Sequence, residues 1–216
     1  MKIKGLIFDL DGVLVSTEHN HFVAWQQTAN VLGIPFSETD NEALKGVSRI
    51  DSLKKILELG KATLNDAQFN AHLEQKNNFY LDSIQNLTKE HLLKGVSDLL
   101  NDAKRRGLKL AVGSSSKNAK HILKLVGIID YFDTIVDGND VLFPKPHPEV
   151  FLKGASILGC HPNECIVFED AISGIEAAKD GGFIAFGVGN PSLKPFANYY
   201  LDDLTQFKLD DDAKLI

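Results

Sequence analysis

Asp9 and Asp11 sit two residues apart at the end of the apolar run Gly5–Leu10, with Gly12 directly behind them. Carboxylates at i and i+2 at the end of a strand can face one crevice. As chemistry, one can attack phosphorus and form an acyl phosphate. The other can give a proton to a leaving oxygen and later take one back. As structure, the same pair closes a strand with Asx turns. A second acidic pair, Glu169-Asp170, ends the apolar run Ile166-Val167-Phe168. Two acids are a costly way to end a fully apolar strand with a turn. Their hard oxygens, converging with Asp9, suit Mg²⁺, which takes carboxylates, water and phosphate and offsets repulsion between acids and an incoming phosphate.

Two further segments fit a phosphate. Gly113-Ser114-Ser115-Ser116-Lys117-Asn118 follows an apolar run and opens a helical pattern. Hydroxyls and backbone N–H groups at such a junction make an anion site, although serine there also serves as an ordinary N-cap. Lys145 stands among Pro144, Pro146 and Pro148. A stiff proline-bound loop can hold a cation beside a phosphoryl group. A solvated surface lysine is the plainer alternative.

The elements that must position these residues are legible as alternating patterns. The runs Gly5–Leu10, Leu108–Gly113, Thr134–Val136, Cys165–Phe168 and Phe183–Val188 lack clean alternation, as strands buried on both faces do. Between them the helical patterns Val96–Arg106, Asn118–Val126, Pro148–Leu158 and Ser173–Asp180 each stop at a glycine. This order implies an α/β fold with a doubly wound, mostly parallel Rossmann-like sheet, whose ligands bind beyond the carboxyl ends of the strands. Residues 18–86 break the rhythm. Phe22, Trp25, Ala29 and Leu32 recur at helical spacing, Ser48-Arg49-Ile50-Asp51 starts another helix, and Phe69, Leu73, Lys76 and Tyr80 extend a third. The expected division is a core of residues 1–17 plus 87–216 and a helical insert of residues 18–86.

The aspartate pair, the serine loop, the lysine and the second acidic pair, in this order, resemble the haloacid dehalogenase superfamily of phosphotransferases. The insert is similar to that family's small α-helical cap. The resemblance implies Asp9 as nucleophile and Asp11 as general acid and base. It implies Mg²⁺ held by Asp9, Glu169, Asp170 and the backbone carbonyl of Asp11, with Ser114 and Lys145 holding the transferring phosphoryl group. Within the insert, Leu44-Lys45-Gly46-Val47-Ser48-Arg49 and Asp51-Ser52-Leu53 resemble the β-phosphoglucomutase branch of the superfamily. So do His21-Phe22-x-Ala24-Trp25 and Ser114-x-Ser116-Lys117-Asn118. This implies interconversion of β-glucose 1-phosphate and glucose 6-phosphate, with β-glucose 1,6-bisphosphate as intermediate and activator. Arg49 would grip the distal phosphate opposite Ser116, Lys117 and Asn118. Trp25, Gly46, Val47, Ser48, Ser52 and Lys76 would line the sugar site, and His21 would tie acid/base placement to cap closure. Ser16 replaces the acid that many relatives carry beside Thr17, at the hinge.

Composition narrows the rest. Lysine plus arginine is 23 and aspartate plus glutamate 29, for a net charge of −6. With no basic block, nucleic acid and anionic membrane are not the expected partners. No apolar run approaches the ~18 residues of a membrane span, and no secretory leader is seen. A cytoplasmic monomer acting on a small sugar phosphate is expected. Cys160, His161 and Cys165 supply three of the four ligands a zinc site wants. Asp210-Asp211-Asp212 reads as a solvated end. Two other functions stay open: a sugar-phosphate phosphatase, in which water replaces the sugar hydroxyl, and a non-catalytic sugar-phosphate sensor.

Overall fold

The computed structural model describes residues 2–210 and 213–214. Asp211 and Asp212 of the acidic end lie outside the described residues. Among the described residues, six strands form one sheet in the order β3-β2-β1-β4-β5-β6. They are β1 (Gly5–Phe8), β2 (Lys109–Gly113), β3 (Thr134–Val136), β4 (Cys165–Glu169), β5 (Ile184–Val188) and β6 (Tyr199–Leu201). Every pairing is parallel. The order reverses at β1, which has β2 on one side and β4 on the other.

The sheet is buried on both faces, which explains the unbroken apolar runs. Leu6, Phe8, Leu110, Val112, Ile166 and Phe168 enter one core. Ile7, Ala111, Val167 and Ala185, in alternate positions, enter the other. Helices α5 (Val96–Arg105) and α6 (Ala119–Leu125) supply Leu100 and Ile122 to the first core. Helices α7 (Glu149–Leu158) and α8 (Ile172–Asp180) supply Phe151 and Ile175 to the second. Each large aliphatic or aromatic side chain buried in this way contributes about 1.5–3 kcal/mol. Helix α7 stops at Gly159, whose left-handed backbone (φ 68°) closes the last turn.

Between β1 and α5 the chain forms α1 (Glu18–Val31), α2 (Glu38–Glu42), α3 (Arg49–Leu59) and α4 (Asp66–Ile84). Trp25, Ala29, Ile34, Leu53, Ile56 and Leu57 make a separate apolar core there. Ala24, Tyr80 and Ile84 instead join the core of the sheet and root the insert on it. Ser48 caps α3 by accepting from the Asp51 N–H.

Most element bounds differ from the sequence expectation by a residue or so, and some differences bear on the site. Strand β1 ends at Phe8, not Leu10, so both aspartates stand in the loop beyond it. Asp9 still donates its N–H to the Phe168 carbonyl at 2.9 Å, which holds that loop against β4. Helix α6 begins at Ala119, one residue later than expected, and has only seven residues. Strand β6 and helix α2 were not expected. The first is a three-residue edge strand and the second a single five-residue turn capped by Ser37, both too short for periodicity to declare. Among the described residues, no helix is long and apolar enough to cross a membrane.

Candidate active site

Parallel strands bring Asp9 (after β1), Ser114 (after β2), Lys145 (after β3) and Glu169-Asp170 (end of β4) to one edge of the sheet. The insert covers that edge and leaves a cleft of about 720 Å³. Asp9, Asp11, Ser114, Lys145 and Asp170 line it from the core, as do Ser116, Lys117 and Asn118. His21, Trp25, Gly46, Val47, Ser48, Arg49, Ser52 and Lys76 line it from the insert. Glu169 does not reach the cleft surface and is fully buried behind it.

Lys145 is the hub of the buried end. It is 4% exposed, and its Nζ donates to Asp9 Oδ1 at 2.6 Å and to Glu169 Oε1 at 2.5 Å. Glu169 Oε2 accepts the Ala171 N–H at 3.0 Å. Burial pushes the Asp9 pKa up to about 7; Lys145 pulls against this, while Glu169 and Asp11 add to it. Burial, then the charges of Glu169 and Asp9, raise Asp170 well above the carboxylate range. Asp9 and Glu169 thus share one lysine in a desolvated pocket beside Asp170, and a divalent cation would favour the ionised forms of Asp9 and Asp170.

The donor set tests which cation. Among the described residues, no three His, Cys, Asp or Glu side chains are grouped as a ready-made metal cage. Mg²⁺ does not need one, because it binds through one or two carboxylates and keeps water and phosphate as its other ligands. Asp9 and Asp170 fit that pattern, and every candidate donor is a hard oxygen. Glu169, expected as a direct ligand, has its two oxygens on Lys145 and Ala171, where it orients the lysine.

Asp11 has a different setting. It accepts a short hydrogen bond from the Thr17 hydroxyl, and His21 Nε2 stands 3.6 Å away. Burial alone would raise its pKa, but the charge and hydrogen bonding of His21, then Thr17, outweigh it and hold the pKa below the usual value. Asp11 is therefore ionised and ready to accept a proton. His21 Nδ1 lies 3.1 Å from Lys76 Nζ, and its ring packs on Tyr80 with centroids 4.1 Å apart. Lys76 is 3% exposed, with Nζ 4.7 Å from the centroids of both Trp25 and Tyr80. Burial, followed by the charge of Arg49, lowers its pKa to about 7.

The Lys76 value gives a pH prediction. Between pH 7 and about 10 the folded side chain is neutral while the unfolded one is charged, so stability rises with pH in that window. Lys76→Met should therefore be more stable than the wild type near pH 7. That advantage should shrink by roughly 1.4 kcal/mol per pH unit toward pH 10. Urea denaturation at pH 7 and 9.5 measures it, and a pH-independent difference would contradict the assignment.

Cations that face the cleft without an acidic partner among the described residues mark the other end. Arg49 donates to the Leu73 carbonyl at 3.3 Å, and burial alone lowers its pKa, with no carboxylate to offset it. Among the described residues neither Arg49, Lys76 nor Lys117 makes an ion pair, whereas Lys45 at the same cleft is paired with Glu18 and Glu42. In the serine loop, Ser114 Oγ accepts the Ser116 N–H at 3.1 Å and Ser116 Oγ accepts the Asn118 N–H at 3.2 Å. Both hydroxyl protons stay available to an anion. Because α6 is so short, these loop donors, more than a helix dipole, are what this edge offers to an anion. The Ser48 hydroxyl donates to Asp51 Oδ2 at 2.6 Å, so Ser48 lines the cleft while serving as a helix cap. Ser16 is exposed, and the buried Thr17 makes the contact with Asp11.

Sequence reasoning assigned no role to Glu18 or Asn77, and none to Ser115 beyond its place in the serine loop, yet all three also line the cleft. Glu18 begins α1 and binds Lys45 at 3.1 Å, and Asn77 accepts from Asn118 Nδ2 at 3.0 Å. Each reads as a solvent-facing polar residue until the insert folds over the core. Cys160 is half-buried and Cys165 buried, and both are free thiols outside the cleft.

The haloacid dehalogenase-like hydrolase family model matches residues 3–182. The chain is 42% identical over 189 residues to a β-phosphoglucomutase of Bacillus subtilis, covering 87% of this chain and 84% of that protein. It is 34% identical to a fructose-1-phosphate phosphatase of Escherichia coli, covering 85% and 95%. In structure it matches the β-phosphoglucomutase of Clostridium difficile with a TM-score of 0.92 at 39% identity, covering 95% of this chain and 93% of that one. With its parallel sheet, the acids at the strand ends and the helical insert after the first strand, the chain belongs to the haloacid dehalogenase-like hydrolase family.

Proposed function

We propose that this chain is a Mg²⁺-dependent mutase that interconverts β-glucose 1-phosphate and glucose 6-phosphate. The observation that carries the reading is the cleft's two ends. A buried acid–lysine centre can hold a phosphoryl group in transfer. The unpaired Arg49 and Lys117 face the same cleft and can hold a phosphate that is not being transferred. A guanidinium offers a planar fork that matches phosphate oxygens. The relatives at 42% and 39% identity carry the same activity in their names.

In this reading Asp9 is the nucleophile and carries the phosphoryl group as an aspartyl phosphate. Asp11 takes the proton of the sugar's free hydroxyl as that oxygen attacks phosphorus and the bond to Asp9 breaks. β-Glucose 1,6-bisphosphate results and reorients between the two ends. Its other phosphate then returns to Asp9, and Asp11 gives the proton to the departing sugar oxygen. Lys145 and Ser114 stabilise the charge that develops on the phosphoryl oxygens. Asp9, Asp170 and the Asp11 carbonyl, backed by Glu169, would hold Mg²⁺, which when bound supplies further neutralisation of that charge. His21, between Lys76 and Asp11, sets where Asp11 stands. Trp25, Gly46, Val47, Ser52 and Lys76 line the sugar's path, with Ser116 and Asn118 facing them. Closure of the insert keeps water from the aspartyl phosphate.

The reading divides the chain into a core of residues 1–17 plus 87–216 and a cap of residues 18–86. It places a monomer in the cytoplasm, where both cysteines remain thiols. The phosphatase alternative is favoured by the phosphatase relative, but it has less need of Arg49 and Lys117, which it leaves a role in substrate choice alone.

An assay of glucose 6-phosphate formation from each anomer tests the activity. The β-anomer should be converted and the α-anomer should not; conversion of neither would reject the mutase. Arg49→Ala should raise KM about 10²-fold, since a charge-assisted bidentate contact is lost. Asp9 should still accept phosphate from a small phosphoryl donor. Unchanged KM would remove Arg49 from the distal site.

A further inference from the structure

We propose that Ser115 is a latch that holds the helical insert closed over the cleft. Its Oγ donates to the Gly46 carbonyl at 2.9 Å, across 69 positions of sequence. The neighbouring hydroxyls are placed otherwise. Ser114 Oγ and Ser116 Oγ both accept N–H groups of their own loop. Of the three serines, Ser115 is the one that bonds to the insert.

Gly46 is a fitting anchor. It has φ +70, and a Cβ there would lie 2.6 Å from Ser173 Oγ and 3.0 Å from Ala171 Cβ. The backbone of the insert therefore lies close against Ala171 and the first turn of α8, while its carbonyl is held by the loop after β2. Gly46 also stands three residues before Arg49, with Ser48, the cap of α3, between them. Fixing Gly46 fixes the start of the helix that carries the guanidinium. A second contact, Asn118 Nδ2 to Asn77 Oδ1 at 3.0 Å, joins the core to α4 on the other segment of the insert.

Both contacts are neutral hydrogen bonds. A latch must open in each catalytic cycle, and a neutral bond shifts an open–closed equilibrium by only about two- to tenfold. Ser115 is thus a positioning residue. Its consequence for chemistry rests on the mutase reading. With the insert open, water can replace the sugar hydroxyl: its oxygen attacks phosphorus, Asp11 takes its proton, the bond to Asp9 breaks, and inorganic phosphate leaves.

Ser115→Thr and Ser115→Val test this, because they differ only in exchanging a hydroxyl for a methyl. In the sugar-free chain, deuterium exchange of the peptide spanning residues 44–52 should be about two- to tenfold faster in the Val variant. The Thr variant should match the wild type. With Mg²⁺, β-glucose 1-phosphate and a trace of the bisphosphate, the Val variant should release a larger share of its turnovers as inorganic phosphate, by a similar factor, with a raised KM. Equal exchange in the two variants would overturn the latch. Faster exchange with an unchanged product ratio would overturn its link to water exclusion. If the wild type forms no glucose 6-phosphate, the mutase reading fails, while the exchange comparison still decides the latch.

Discussion

Asp9→Asn should abolish phosphoryl transfer, with turnover lower by at least about 10⁴-fold. The substitution is close to isosteric, and the amide oxygen can still accept from Lys145, which now bonds Asp9 Oδ1. The variant should therefore fold, and the loss belongs to chemistry. An amide nitrogen has no lone pair suited to attack phosphorus, so no aspartyl phosphate can form. Mass spectrometry after a pulse of β-glucose 1,6-bisphosphate should find a phosphorylated wild type and an unmodified variant. A variant that still carried the phosphoryl group would move the nucleophile elsewhere.

Lys145→Ala should affect stability and rate together. The lysine is buried between Asp9 and Glu169, and its removal leaves both carboxylates without their cation. Breaking a buried pair from one side costs about 3–5 kcal/mol, most of it from the charge left behind. The linkage sign follows from the partners. Asp9 already has a pKa near 7 with the lysine present, and removing the lysine raises it further. A group with a raised carboxyl pKa prefers the protonated form in the folded state, so the stability deficit should shrink as pH falls. Turnover should fall by about 10²–10³-fold, the usual effect of losing one donor to developing charge. Urea denaturation at pH 9 and 7, across the window between the Asp9 pKa near 7 and its higher value without the lysine, in the absence of Mg²⁺, reads the first effect and steady-state kinetics the second. A stability loss under about 1 kcal/mol, well short of the cost of a broken buried pair, would mean that Lys145 does not hold the acids together.

The strand ends were the most legible part of this protein. β1 and β4 are apolar on both faces, and in such a context Asp9, Glu169 and Asp170 stand out as charges that mark the crevice end of the sheet. The helical insert was legible from the Trp25 stripe, from the Phe69-to-Tyr80 run and from the helix start at Ser48, which do not depend on what the insert covers. The boundaries of elements were less so. Asp9 pairs its N–H with Phe168 after the strand has formally ended, a detail of register that composition does not carry. The edge strand β6 exposes half of Tyr199 and resembles a loop. Cross-cleft contacts were least legible. Ser115 to Gly46, Asn118 to Asn77 and Glu18 to Lys45 each join polar residues that would be unremarkable on a surface. Closure of the insert over the sheet gives them partners, and that is a tertiary event with no local pattern. Glu169 illustrates the same limit, since the sequence places it beside Asp170 but only the fold turns it toward Lys145.

The central claim is that the phosphoryl group of Asp9 passes to a sugar hydroxyl and not to water. Phosphorus NMR tests it directly, with the purified chain, Mg²⁺, β-glucose 1-phosphate and a trace of β-glucose 1,6-bisphosphate. Glucose 6-phosphate should accumulate with little inorganic phosphate. Accumulation of inorganic phosphate in its place would make the chain a phosphatase and would leave Arg49 a role in substrate choice alone.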